Sequence, residues 1–111
     1  MSIEVVREDV GDAAVLVLAG SVDIYSSSEL RAELKVALDQ KVETVVVDLV
    51  GVTFVDSSGL ATLIEGLQRI KRYGGTLLLC GLTTAVRGVF ELANLHTIFD
   101  IRPDRDAALG G

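Results

Sequence analysis

Asp56, Ser57, Ser58 and Gly59, inside "FVDSSGLATL" (54–63), place a carboxylate and two hydroxyls where a β-branched run gives way to a helical apolar pattern. Two kinds of chemistry suit that composition. A carboxylate or hydroxyl just ahead of a helix accepts a bond from a free backbone N–H, a cap worth about 0.5–2 kcal/mol against alanine. A serine at a helix start is also exposed, and a phosphate on it would meet unsatisfied N–H groups and the positive end of the helix dipole. Phosphorylation would add about −1.5 to −2 charge units beside Asp56. Repulsion and bulk could then reject a docked partner with no change of fold. On residue type alone the cap is the simpler reading, and the two serines are equivalent.

Other chemistry finds little support. Acyl transfer needs a nucleophile, a base and an oxyanion site in mutual reach, and "VDSSGL" does not match the G-x-S-x-G elbow. His96, in "NLHTIF", is the only histidine and reads as structural. One histidine and one cysteine make no metal cluster. Neither G-x-x-x-x-G-K-[ST] nor G-x-G-x-x-G occurs, so no glycine loop for nucleotides is present. The expectation is a binding protein, not an enzyme, with no metal and no cofactor.

The wider composition agrees. The chain has 111 residues, 50% hydrophobic, with one proline and no tryptophan, which implies a single domain with an aliphatic core. A net charge of −6 repels phosphate backbones and anionic membranes, so neither nucleic acid nor a membrane is an expected partner. Cys80, in "TLLLCG", reads as a small buried hydrophobe. The N-terminus lacks a signal-peptide pattern and no apolar run nears the roughly 18 residues of a membrane span, so a cytoplasmic protein is expected.

The elements that must position the motif follow from periodicity. "IEVVRE" (3–8) and "AAVLVLAG" (13–20) predict a hairpin turned at Gly11-Asp12, and "GSVDIY" (20–25) a loop. Ser26, three residues before Glu29, predicts a capping box for a helix whose apolar face is Leu30, Leu34, Ala37 and Leu38. "ETVVVDL" predicts a strand covered on both faces and ending near Leu49. A second helix runs from the motif to about Tyr73, with Leu60, Leu63, Ile64, Leu67 and Ile70 as its stripe and a glycine stop. At 100° per residue, Ser58, Ala61, Thr62 and Gly66 fall away from that stripe. Gly66 inside a helix costs roughly 1 kcal/mol relative to alanine; close approach of a neighbouring helix or of a partner would each explain it. "TLLLCG" predicts a strand, "TTAVRGVFELAN" a helix capped by Thr83 or Thr84, and "HTIFDI" (96–101) a last strand. Residues 102–111 predict a helical turn or a tail. The order ββαβαβαβ predicts an α/β domain over 1–111, with its core at about 3–101. Its sheet of about five strands is mixed but mostly parallel, with helices packed on it.

"GSVDIYSSSELRAEL", "VVVDLVGVTFVDSSGLATL" and "RYGGTLLLCGL", in that order and spacing, resemble the bacterial anti-sigma factor antagonists of the STAS-domain family. The likeness runs from about Ile3 to Ile101. It implies a small β-sheet fold with helices packed against it. It also implies that the protein binds an anti-sigma factor that is itself a serine kinase, freeing a sigma factor. The kinase, which would bind the ATP, phosphorylates the serine after the motif aspartate, and a PP2C-type phosphatase reverses this. Carried over, the acceptor is Ser57, framed by Asp56, Ser58 and Gly59, with Asp23 as the loop acid near the kinase contact and Ala61 and Thr62 on the adjoining helix. The alternative that the resemblance allows is a constitutive STAS scaffold in a transporter or stressosome-type complex.

Overall fold

A computed structural model describes residues 3–110; the ends of the expected 1–111 unit, Met1, Ser2 and Gly111, lie outside the described residues. The chain runs β1 (Ile3–Val10), β2 (Ala13–Val22), α1 (Ser27–Asp39), β3 (Thr44–Val55), α2 (Ser57–Arg72), β4 (Thr76–Cys80), α3 (Thr84–Leu92), β5 (Asp100–Arg102) and α4 (Arg105–Ala108). This is the expected order with a helical turn added at the end. The strands form one sheet in chain order, β1 antiparallel to β2 and the others parallel. Gly11, with φ 58°, takes the first hairpin position, where a positive φ lets the turn follow the strand twist.

Right-handed crossovers repeated in one direction put every connecting helix on the same face. Accordingly α1, α2 and α3 share one aliphatic core with Ala14, Leu16 and Leu18 of β2 and Val45, Val47 and Leu49 of β3. The opposite face is covered more thinly: Ala108 of α4 packs with Val15, Val46, Leu78 and Cys80, and Arg105 hydrogen-bonds Glu8 on β1. Burial on both sides explains the unbroken run Val45–Leu49, as its β-branched composition implies. Lys35 and Arg69 both bond the Asp39 carboxylate, joining α1 to α2 and holding that acid down at about 2.

Four local expectations are corrected. First, β3 does not stop near Leu49 but continues to Val55, burying Val52 and Val55. Register shifts against β2, between Val17 and Ala19 and between Gly20 and Ser21, disrupt the alternation that would have revealed it. Second, Gly20–Val22 belong to β2 rather than to a loop. Third, residues 96–99 are not strand: Ile98 and Phe99 both donate to the Leu95 carbonyl at 3.1 Å, a turn that lets Phe99 meet Phe90 edge-on, ring centroids 5.7 Å apart. Fourth, Ser26 makes no capping bond into α1. Its hydroxyl instead donates to the Ser21 carbonyl at 2.6 Å and accepts from the Asp23 N–H at 3.0 Å. Thr83, not Thr84, caps α3, accepting from the Val86 N–H.

Candidate functional site

The extended β3 delivers Asp56 to the carboxyl edge of the sheet, the edge where ligands of open α/β sheets gather. Asp56 leaves the strand with φ −107° and ψ −172° and becomes the N-cap of α2. One carboxylate oxygen, Oδ1, accepts from the backbone N–H groups of Ser58 (2.9 Å) and Gly59 (3.2 Å). The other, Oδ2, accepts from the N–H of Ile24 at 3.2 Å. The Asp56 N–H in turn donates to the Val22 carbonyl at 3.1 Å. The cap reading is therefore correct for Asp56, and the same side chain fastens the β2–α1 loop to the helix start.

Ser57 is the first residue of α2 and is exposed, whereas Ser58 is half-buried. That difference separates two hydroxyls that residue type could not tell apart. Gly59 is buried, and a Cβ there would lie 2.8 Å from both the carbonyl oxygen and a methyl of Val22. Glycine is therefore required for α2 to start against β2. Asp23 builds the facing loop: its Oδ1 accepts from the Tyr25 N–H (2.9 Å) and the Ser26 N–H (3.1 Å). Asp23 thus takes the Ser26 N–H that a capping box would give to Glu29, while the Glu29 N–H donates to the Ser26 carbonyl at 3.0 Å.

Along α2 the face away from the leucine stripe divides. Ala61 is exposed, but Thr62 is 1% exposed, donating from its hydroxyl to the Ser58 carbonyl (3.0 Å) and accepting from Arg31 of α1 (3.3 Å). Gly66 faces Leu34, whose Cδ1 lies 3.4 Å from where its Cβ would be. That is ordinary contact, so α1 packs beside Gly66 without itself requiring glycine there. Thr62 lies in that helix–helix seam, whereas Asp23, Asp56, Ser57 and Ser58 gather at the sheet edge.

Sequence reasoning did not pick out Ile24 and Tyr25, which stand 68% and 80% exposed beside this edge. Their signal is legible in hindsight as two large apolar residues in a loop with no amphipathic period to bury them. His96 is exposed, away from this constellation in the turn after α3. Among the described residues no group of three or more His, Cys, Asp or Glu could hold a metal, and no helix is long and apolar enough to cross a membrane.

At this edge an exposed serine thus opens a helix capped by Asp56 and stands beside a loop pinned by Asp23 and Asp56. The family model described as "Mlab, STAS domain" matches residues 6–103, and the chain belongs to the STAS-domain family. The anti-sigma-B factor antagonist of Bacillus subtilis is 32% identical over 84 residues, 76% of each chain. The crystal structure of an anti-sigma factor antagonist from Mycobacterium paratuberculosis superposes with a TM-score of 0.90 at 24% identity, covering 97% of this chain and 92% of that one. The Bacillus cell fate determinant SpoIIAA in its phosphorylated form shares the fold at a TM-score of 0.73 and 22% identity, over 94% of this chain and 96% of its own. The expected α/β architecture is thereby shown, and the curated relatives matched are named anti-sigma factor antagonists.

Proposed function

We propose that this protein is an anti-sigma factor antagonist acting by partner switching in the cytoplasm. In its unmodified form the edge formed by Ser57, Asp56 and the Asp23 loop binds an anti-sigma factor with serine-kinase activity, and the sigma factor is freed. Phosphorylation of Ser57 ends that binding, and a PP2C-type phosphatase restores it. The observation that carries the reading is the exposed Ser57 hydroxyl at the first position of α2, directly after a cap that is already engaged.

The engaged cap decides how the switch works. The first N–H groups of a helix are the donors that would neutralise a phosphate placed there. Here two of them, on Ser58 and Gly59, are already bonded to Asp56. A phosphate on Ser57 would find few donors left within its own helix and a carboxylate as neighbour. Its charge would face outward, toward whatever docks. The kinase supplies ATP, its metal ion and the catalytic base, so Ser57 needs no activating partner in this chain. The constitutive scaffold reading gives no role to the exposure of Ser57.

The test is phosphorylation by the cognate anti-sigma factor kinase with ATP, followed by intact-mass and fragment analysis. The wild type and Ser58→Ala take one phosphate, and Ser57→Ala takes none. Stoichiometric labelling of Ser57→Ala with loss in Ser58→Ala would assign the acceptor to the other serine, and recovery of a permease complex in place of a kinase would support the scaffold.

A further inference from the structure

Two acids stand at the docking edge, yet their geometry is directed inward. Asp56 spends both oxygens on backbone N–H groups, those of Ser58, Gly59 and Ile24. Asp23 spends Oδ1 on the N–H groups of Tyr25 and Ser26. Both carboxylates thus hold the backbone of one short segment, Ile24-Tyr25. The side chains of that segment gain no burial from the arrangement, remaining 68% and 80% exposed. A loop fixed at each residue while presenting isoleucine and tyrosine to solvent is pre-organised for contact, since its ordering cost is met before a partner arrives. Tyrosine is also among the residues enriched in interface cores.

We infer that Ile24 and Tyr25 are the apolar anchors on which the kinase that modifies Ser57 docks, with Asp23 and Asp56 as positioning residues rather than charge contacts. The inference rests on the partner-switching reading above and extends it to residues that the family resemblance does not assign. The occupant follows from continuity. A kinase that reaches the Ser57 hydroxyl must cover the surface around Asp56, and Ile24 is hydrogen-bonded to Asp56 itself. The face it offers to this pair is therefore an apolar pocket next to its catalytic cleft.

The probe is the purified anti-sigma factor kinase that phosphorylates Ser57 of the wild-type protein, with binding and phosphorylation kinetics measured in parallel. Ile24→Ala combined with Tyr25→Ala raises Kd and KM by about 30-fold or more, the size expected of an interface hot spot. The kcat stays within about 2-fold, because the acceptor itself is untouched. Both side chains are largely exposed, so the melting temperature is unchanged, and Val36→Ala, an exposed apolar site on α1, alters neither Kd nor KM.

The acids are tested by an isosteric pair. Asp23→Ala weakens binding as truncation of Tyr25 does. Asp23→Asn, which keeps an acceptor oxygen but removes the charge, restores binding to within about 3-fold of wild type, whereas loss of a direct charge contact would cost far more. Wild-type affinity in the double alanine variant overturns the inference while leaving the switch intact. So does an Asp23→Asn variant as weak as Asp23→Ala, which would make the charge itself the contact. If no anti-sigma factor kinase phosphorylates the wild type, the switch reading falls and takes this inference with it.

Discussion

Replacing Asp56 separates the cap from the switch, and its size can be worked from the hydrogen bonds. Asp56→Ala removes the acceptor for the Ser58 and Gly59 N–H groups, a loss of about 0.5–2 kcal/mol for an N-cap. It also removes the bond from the exposed Ile24 N–H, which water replaces, so the cost is at the low end of the usual net value, about 0.5 kcal/mol. The total is about 1–2.5 kcal/mol. With an unfolding entropy of about 2.1 cal/mol/K per residue over 111 residues, each kcal/mol moves Tm by roughly 4 °C. Asp56→Ala therefore melts about 4–10 °C below wild type, followed by circular dichroism. Asparagine caps about as well as aspartate. Asp56→Asn keeps the cap through its one acceptor oxygen but turns its NH2 toward the Ile24 N–H, so it loses that bond, about 0.5 kcal/mol, besides the charge–dipole attraction of about 0.3–1 kcal/mol; the total of about 0.8–1.5 kcal/mol is roughly 3–6 °C, its dipole part smaller in high salt. A Tm for Asp56→Ala equal to wild type, or an Asn variant no better than Ala, would refute the account of Asp56 as a three-bond fastening.

Three further outcomes follow from packing and burial. Gly59→Ala pushes a methyl against the Val22 carbonyl at 2.8 Å, and the overpacking lowers stability by about 1–3 kcal/mol, visible as a lower urea midpoint. Gly66→Ala meets Leu34 only at ordinary contact distance, 3.4 Å, so the helix-propensity gain of up to about 1 kcal/mol dominates and the midpoint rises. Burial, reinforced by nearby Asp48, pushes the Cys80 thiol up to about 11. Its ordinary value is near 9.0, so the neutral thiol's contribution is complete below that pH and is lost as pH rises toward 11. The urea midpoint should therefore decline over that window in the wild type but much less in Cys80→Ala, and the native thiol should resist Ellman's reagent at pH 8.

The fold was largely legible because strong signals coincide: β-branched runs, heptad-like leucine stripes and glycine stops mark the strands and helices in the right order. The failures lie where tertiary contact overrides local pattern. The second half of β3 is hidden because bulges against β2 shift its alternation, and at Gly51 the Leu18 carbonyl approaches to 2.9 Å of a would-be Cβ. Residues 96–99 have β-like composition, but burying Phe99 against Phe90 requires a turn. The site was legible as a cap and as a family pattern. What neither could supply was direction: that Thr62 points into the α1–α2 seam, that Asp23 and not Ser26 closes the loop, and that Ile24 and Tyr25 are left outside. Those outcomes depend on which neighbours the packed helices bring within reach of each group, not on spacing along the chain.

The central claim is that charge at residue 57 rejects the partner while the fold stays as it is. It is tested most directly by measuring the affinity of the purified anti-sigma factor for the protein before and after stoichiometric phosphorylation at Ser57, with the melting temperature of both forms. The account predicts affinity weakened by about 100-fold or more, roughly 2.7 kcal/mol, with Tm unchanged or slightly raised by the anion at the start of α2. Equal affinity of the two forms would contradict it, and so would a loss of affinity that tracks a collapse in Tm.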